Sequence, residues 1–113
     1  MISQIRPRDL AQWHAQVGLA AQPILFDVRE PAELVAASVP AGTFDLRTIP
    51  MGSVPARLAE LDPDQPIACL CHHGARSMQV ATYLSNQGFG HVVNVAGGID
   101  AWSLELDPTV PRY

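Results

Sequence analysis

The sequence predicts an α/β fold in which a central parallel sheet is covered by helices on both faces. Short continuous apolar runs recur along the chain, as in strands that are buried on both faces. Segments with a helical spacing of apolar residues stand between these runs, and this alternation implies right-handed crossovers between parallel strands. The length of 113 residues, of which 48% are apolar, predicts a single domain over residues 1–113.

The strands are predicted from short apolar runs and from the Pro and Gly residues that separate them. One of them is brief and lies inside residues 38–52, a stretch that is otherwise expected to be loop. In chain order the predicted strands lie at residues 23–26, 44–46, 67–70 and 92–95.

The helices are predicted where apolar residues recur every three or four positions and where Pro, Ser or Gly marks an end. Gly88 is expected to end one helix in the left-handed conformation, with Phe89 making the hydrophobic contact that accompanies such a cap. In chain order the predicted helices lie at residues 7–18, 31–35, 53–61, 76–87 and from 98 onward.

The functional site is predicted at one edge of this sheet. In parallel sheets, ligands and chemistry lie outside the carboxyl ends of the strands. The loops that leave those ends are residues 27–30, 71–76 and 96–98. We therefore expect the site to lie among these three loops.

The loop after the third predicted strand is the most informative segment, and it reads Cys71-His72-His73-Gly74-Ala75-Arg76-Ser77. A loop that joins a strand to a helix directs backbone N–H groups inward and lies on the positive end of the helix dipole. Gly74 allows backbone angles that other residues resist, and Arg76 returns a permanent cation toward the sulfur. Because such surroundings favour a thiolate, Cys71 is the candidate nucleophile.

The chain resembles the single-domain rhodanese family of sulfurtransferases over nearly its whole length. The resemblance rests on the motif Asp27-Val28-Arg29-Glu30-Pro31, the loop from Cys71 to Ser77, and the motif Gly97-Gly98-Ile99-Asp100-Ala101-Trp102. It implies a rhodanese-like fold, with a central parallel sheet of about five short strands and helices on both faces.

The resemblance also implies a persulfide that forms on Cys71 and passes to a thiophilic acceptor. The donor would be thiosulfate or a low-molecular-weight persulfide, and the acceptor cyanide, a thiol or a protein. The sulfur and the anionic donor would be held by His72, His73, Gly74, Ala75, Arg76 and Ser77. Asp27 and Arg29 would be structural support, and no metal or organic cofactor is implied.

The sequence leaves two possible roles open for each of several residues near Cys71. His72 and His73 either line the mouth of the site or are simply exposed, and adjacent imidazoles that point apart make a zinc site a poor fit. Ser77 either donates a hydrogen bond to the sulfur or caps the helix. Cys69 is either a small core residue or a thiol that resolves the persulfide.

Composition excludes several classes of protein. The net charge is −4 and all seven basic residues are Arg, which argues against a protein that wraps nucleic acid. No apolar run approaches the roughly 18 residues of a membrane span, and charges near the start argue against a signal peptide. We expect a cytoplasmic monomer or weak dimer that binds neither nucleic acid nor membrane.

Two other functions stay open. A cysteine phosphatase or arsenate reductase could use the same fold, but phosphatases generally place five residues between the cysteine and the arginine. Here there are four, residues 72–75, and the smaller ring of amides suits a single sulfur atom. A persulfide carrier or interaction module that serves one partner protein is the other possibility.

Overall fold

The computed structural model describes residues 2–18 and 21–113, and within them a five-stranded parallel sheet forms the centre of the protein. The strands are β1 (Ser3–Ile5), β2 (Ile24–Asp27), β3 (Asp45–Thr48), β4 (Ile67–Leu70) and β5 (Val92–Val95). Their order across the sheet is β1-β5-β4-β2-β3, and each neighbouring pair is parallel. The predicted α/β class and its parallel sheet are confirmed.

The helices in the described part of the chain are α1 (Leu10–Val17), α2 (Pro31–Ala36), α3 (Ala75–Asn86) and α4 (Gly98–Glu105). A 3-10 turn, Pro7–Asp9, leads into α1, so the first predicted helix is present with a tighter first turn. Across residues 2–18 and 21–113, the structure contains no helix with the length and apolar character that a membrane crossing requires.

The end of α3 has the predicted left-handed cap. Gly88 has a φ of 94°. The N–H of Phe89 donates to the Leu84 carbonyl at 3.1 Å, and the N–H of Gly88 donates to the Ser85 carbonyl at 3.2 Å. Two of the last carbonyls of α3 are therefore satisfied, and Phe89 is buried against the core.

An apolar cluster covers each face of the sheet, because successive residues of a strand point to opposite faces. Phe26 and Cys69 belong to the cluster under α3, whereas Leu25 and Leu70 belong to the cluster under α1 and α4. Burial on both faces explains why β2 and β4 are continuous apolar runs.

The position of β1 was not predicted. Ser3–Ile5 forms an edge strand that pairs with β5, in a register from Ser3 opposite Val93 to Ile5 opposite Val95. Two of its three residues are exposed, and two of them are polar. An edge strand of this kind lacks the apolar run that marks the central strands.

The predicted helix over residues 53–61 is wrong. The chain there forms two separate 3-10 turns, Met51–Ser53 and Leu58–Glu60. Only Val54 and Leu61 of the nine predicted positions are buried, and a short helix needs packing of an apolar face to persist. The backbone makes irregular turns instead.

Candidate active site

Cys71 directly follows the fully buried strand β4, and α3 begins four residues later. The residue is 1% exposed. The N–H of Gly74 donates to the Cys71 Sγ at 3.1 Å, and the hydroxyl of Ser77 lies 3.3 Å from the same sulfur. The sulfur therefore lies at the N-terminal end of a helix, with a backbone donor directed at it and a hydroxyl group in contact with it.

The first turn of α4 binds two carbonyl groups at the start of the Cys71 loop, which comprises residues 71–77. The N–H of Ile99 donates to the Cys71 carbonyl at 2.9 Å, and the N–H of Asp100 donates to the His72 carbonyl at 3.2 Å. In a trans peptide the C=O and the next N–H point in opposite directions. The N–H groups of His72 and His73 therefore point away from α4.

Gly98 allows this close approach of α4 to the Cys71 loop. Its φ is 61°, and a Cβ at this position would lie 2.4 Å from the carbonyl oxygens of both Cys71 and His72. Gly97 is constrained in a similar way, since its Cβ would lie 2.5 Å from that of Ala101. The loops after β4 and β5 thus meet at the predicted edge of the sheet.

A second set of hydrogen bonds joins the Cys71 loop to β5. Asn94 is 1% exposed. Its Oδ1 accepts a hydrogen bond from the Ser77 hydroxyl at 2.5 Å, and its Nδ2 donates to the Gly74 carbonyl at 3.1 Å. The Nδ2 also donates to Gln4 Oε1 at 3.0 Å, so the buried amide is fully engaged.

Arg76 points to α2, where it meets the carboxylate of Glu33. The Nη1 and Nη2 atoms of Arg76 lie 2.6 and 2.8 Å from the two carboxylate oxygens. The side-chain hydrogen bond from Arg76 holds the pKa of Glu33 well below its usual range, although partial burial opposes the shift. The cation that the sequence assigned to anion binding is therefore already paired with a carboxylate.

Asp27 and Arg29 form a buried ion pair in the loop after β2. Arg29 is 0% and Asp27 is 1% exposed. The Nε and Nη2 of Arg29 donate to the Asp27 carboxylate at 2.9 and 2.7 Å, and Nη1 donates to the Glu33 carbonyl at 3.2 Å. The pair supports α2 through the bond from Arg29 to the Glu33 carbonyl, and its hydrogen bonds do not go to the sulfur.

The segment after α4, residues 106–113, folds back to this edge of the sheet. Val110 is buried, and its carbonyl accepts a hydrogen bond from the Ser103 hydroxyl at 2.7 Å. Arg112 donates to the Asp100 carboxylate at 2.8 Å. These contacts bring Tyr113 beside the Cys71 loop.

Tyr113 joins the Cys71 loop to α2. Its ring stacks on the imidazole of His72 with the centroids 3.9 Å apart and the planes 6° from parallel. Its hydroxyl donates to Glu33 at 2.7 Å and accepts from Arg29 at 3.1 Å. The opposite face of His72 stacks on His73 with the centroids 3.9 Å apart, so the expectation that the two imidazoles point apart is wrong. The side chain of His73 is 64% exposed. His72 is thus held at the rim of the candidate site, between Tyr113 and His73, and His73 lies at the surface.

Cys69 lies inside the core and not in the rim. It is 0% exposed, and burial raises the pKa of its thiol far above the usual value. A thiol that resolves a persulfide must ionise to a thiolate, and the raised pKa of Cys69 disfavours that form. The structure therefore favours the core interpretation of Cys69.

Three residues of this arrangement were not singled out from the sequence: Glu33, Asn94 and Tyr113. Asn94 carried a signal, because a polar residue inside the apolar run Val92–Val95 must find buried partners. Glu33 and Tyr113 had no comparable signal, since their contacts form only when α2 and the last residues meet the Cys71 loop.

Comparison with known proteins identifies the family of this chain. The family model described as the Rhodanese-like domain matches residues 8–105. A protein named sulfurtransferase from Allochromatium vinosum is 36% identical over 110 residues, which cover 97% of this chain and 96% of that protein. A chloroplastic rhodanese-like/PpiC domain-containing protein 12 from Arabidopsis thaliana is 46% identical over 79% of this chain, but the match spans only 30% of that protein.

A solved structure has the same fold over most of the described residues. The crystal structure of a rhodanese-related protein from Thermoplasma volcanium aligns with a TM-score of 0.76 and 31% identity, over 98% of this chain and 99% of that one. The family match includes the Cys71 loop and the two motifs that flank it in sequence. The chain therefore belongs to the rhodanese-like domain family, a family of sulfurtransferases.

Proposed function

We propose that the protein moves a sulfane sulfur from thiosulfate or a low-molecular-weight persulfide to a thiophilic acceptor, through a persulfide on Cys71. The observation that carries this proposal is the pair of donors at the sulfur. The N–H of Gly74 lies 3.1 Å from Sγ, and the Ser77 hydroxyl lies 3.3 Å from it. Hydrogen bonds to an ionised sulfur are stronger than those to a thiol, so these donors favour both the thiolate and the persulfide anion.

In the first half-reaction, the Cys71 thiolate attacks the outer sulfur of thiosulfate. A bond forms between Sγ and that sulfur, the S–S bond of the donor breaks, and sulfite leaves with the electron pair. With a low-molecular-weight persulfide, the leaving group is the corresponding thiolate. Arg76 would stabilise the leaving anion through N–H groups that its two bonds to Glu33 do not use.

In the second half-reaction, the acceptor attacks the terminal sulfur of the Cys71 persulfide. Cyanide becomes thiocyanate, whereas a small or protein thiolate becomes a persulfide, and the Cys71 thiolate is regenerated. The electrons balance between donor and acceptor, so this cycle requires no metal or organic cofactor. The partners would be a small-molecule donor and a thiol or protein acceptor, served by a monomer or weak dimer.

The test is thiocyanate formation from thiosulfate and cyanide, with intact-mass measurement after incubation with thiosulfate alone. We expect wild type to turn over and to gain about 32 Da, the mass of one sulfur. Cys71→Ser should lose both properties, whereas Cys69→Ala should keep both because Cys69 lies in the core.

Full turnover by Cys71→Ser would overturn the proposal. A sulfur adduct on Cys71 without turnover would indicate a persulfide carrier. The absence of an adduct, combined with hydrolysis of an aryl phosphate that depends on Cys71, would indicate a phosphatase. That outcome is disfavoured by the four residues between Cys71 and Arg76, because the smaller ring of amides suits a single sulfur atom.

A further inference from the structure

Asn94 is a polar side chain at a central position of the sheet, yet the cycle above gives it no part. It lies in β5 opposite Gln4 of β1 and Cys69 of β4, and it is 1% exposed. Burying an amide costs free energy unless all of its groups are hydrogen-bonded. The reason for an amide here must therefore lie in the groups that it binds.

The hydrogen bonds fix which end of the Asn94 amide faces which partner. The Gly74 carbonyl can only accept, so the amide atom 3.1 Å from it must be the Nδ2 donor. The Oδ1 atom consequently faces Ser77, at 2.5 Å from the hydroxyl oxygen.

This orientation also fixes the direction of the Ser77 proton. The Oδ1 of Asn94 only accepts, so Ser77 donates its single proton to Asn94 and offers lone pairs to the Cys71 thiol. When the sulfur becomes an anion, rotation of the Ser77 hydroxyl supplies a hydrogen bond to it from a fixed oxygen. The hydroxyl then no longer donates to Asn94, so Asn94 fixes the position of the hydroxyl oxygen while the sulfur is a thiol.

Asn94 holds the second donor to the sulfur as well. The Gly74 carbonyl accepts from Asn94 at 3.1 Å, while the Gly74 N–H, in the preceding peptide group, donates to the Cys71 Sγ, also at 3.1 Å. The two peptide groups meet at the Gly74 Cα, whose φ of 106° lies in the region that only Gly adopts readily, so few local constraints fix their relative orientation.

We propose that Asn94 is a positioning residue for Cys71, which aligns the Ser77 hydroxyl and the Gly74 N–H on the sulfur. The hydrogen bonds of Asn94 go to Ser77, Gly74 and Gln4 and not to the sulfur, so it acts through the first two of these groups. Its effect on turnover rests on the proposed sulfur transfer, whereas its effect on the reactivity of the Cys71 sulfur does not. The two claims can therefore be tested separately.

The test is the alkylation rate of Cys71 by iodoacetamide, measured in a Cys69→Ala background with no sulfur donor present. We expect Asn94→Ala to react about tenfold more slowly at neutral pH, the effect of one well-aligned hydrogen bond to an ionised group. In sulfur transfer, kcat should fall by a similar factor, while the KM for thiosulfate changes less than about threefold.

Asn94→Asp tests the pH dependence of the alkylation rate, which a purely structural role of Asn94 would not change. A protonated Asp can accept from Ser77 and donate to the Gly74 carbonyl, whereas an ionised Asp can only accept. Burial raises the pH at which an Asp ionises. We therefore expect the ratio of the Asn94→Asp rate to the wild-type rate to be near unity at acidic pH and to fall as the pH rises.

The other ionisable groups around Cys71, on its own loop and on the elements packed against it, are the same in these variants: Glu33, Cys69 or its Ala replacement, His72, His73, Arg76 and Asp100. Asn86→Asp is the matched control, because it makes the same change at an exposed residue at the end of α3. It should leave the alkylation profile unchanged.

An alkylation rate of Asn94→Ala within twofold of wild type would overturn the proposal, as would a pH-independent ratio for Asn94→Asp. If Asn94→Ala does not fold, Ser77→Ala replaces it, and its effect should be less than additive with that of Asn94→Asp. If the wild-type protein transfers no sulfur but the variants are still alkylated more slowly, the positioning role is retained and the proposed function is rejected.

Discussion

Glu33 determines how much positive charge Arg76 presents at the rim of the site. Its two carboxylate oxygens lie 2.6 and 2.8 Å from the guanidinium, and one of them also accepts the hydroxyl proton of Tyr113 at 2.7 Å. The side chain of Arg76 is nevertheless 35% exposed, so it can still face an anion. Glu33 therefore moderates the attraction of the site for anionic donors.

Glu33→Gln should lower the KM for thiosulfate. The change removes one negative charge beside Arg76 and keeps the shape of the side chain, and we expect a decrease of about two- to tenfold that shrinks at high salt. Steady-state kinetics at two ionic strengths measure it. Glu60→Gln is the control, because Glu60 pairs with Arg57 at a remote exposed site. An equal decrease in both variants would contradict a local effect.

Glu33 should also give the protein acid-sensitive stability. The hydrogen bond from Arg76 lowers its pKa below the ordinary value of 4.5. A carboxyl with a depressed folded-state pKa stabilises the fold above its unfolded-state pKa, and this contribution is lost as the pH falls through and below that value. The Tm of wild type should thus fall more steeply than that of Glu33→Gln below about pH 5. Parallel Tm curves would argue against the ion pair.

At the residue scale, the Cys71 loop could be predicted because its nucleophile, glycine and arginine are contiguous in the sequence. The partner of Arg76 could not be predicted, since Glu33 reaches it only after α2 docks at the edge of the sheet. The sequence therefore identifies the sulfur and its loop, whereas the charge at the rim requires the fold.

Among the elements, α4 has the most direct influence on the Cys71 loop. Its first turn donates to the carbonyls of Cys71 and His72 at 2.9 and 3.2 Å, and Gly98 lets the two backbones approach this closely. Helix and loop therefore form one unit, and a change at the start of α4 is a change at the site.

Gly98→Ala should cost far more stability than Gly42→Ala. Both glycines have a similar φ, 61° and 57°, so both substitutions carry the same left-handed strain of about 1–2 kcal/mol. Only at Gly98 would the added Cβ lie 2.4 Å from backbone oxygens, whereas at Gly42 it meets no atom of residues 2–18 or 21–113 within 4 Å. We expect an additional loss of roughly 2 kcal/mol or more in urea unfolding. Equal losses would show that the contact is not tight.

At the element scale, the sequence predicted well where one local signal decides. The central strands are apolar on both faces, and the end of α3 has its Gly in place. The sequence did not predict β1, because this edge strand lacks an apolar run. It wrongly predicted a helix over residues 53–61, where apolar residues have helical spacing but only Val54 and Leu61 are buried.

For the whole molecule, Arg29 connects parts that are distant in the sequence. It is fully buried and binds Asp27 at the end of β2, the Glu33 carbonyl in α2 and the hydroxyl of Tyr113. Removing one partner of a buried ion pair leaves the other charge uncompensated. The sheet, α2 and the last residues are therefore all bound by a single side chain.

Arg29→Ala should be far more destabilising than Arg57→Ala. We expect a loss of about 3–5 kcal/mol in the free energy of unfolding, because Asp27 would stay buried and unpaired. Arg57→Ala is the matched control, since its ion pair with Glu60 is exposed and should contribute little. Denaturant titration of both variants measures the difference, and similar midpoints would contradict the role of Arg29.

The parallel sheet also decides where the protein can be attached to a support or joined to another protein. The amino ends of the parallel strands lie at one edge of the sheet, and Cys71 lies at the opposite edge. A linker placed before Ser3, at the amino end of β1, therefore starts on the side opposite Cys71. A linker placed after Tyr113 starts beside the imidazole of His72, where it would disturb the stacked ring and its bond to Glu33. Biosensor surfaces and fusion proteins should therefore use the β1 side.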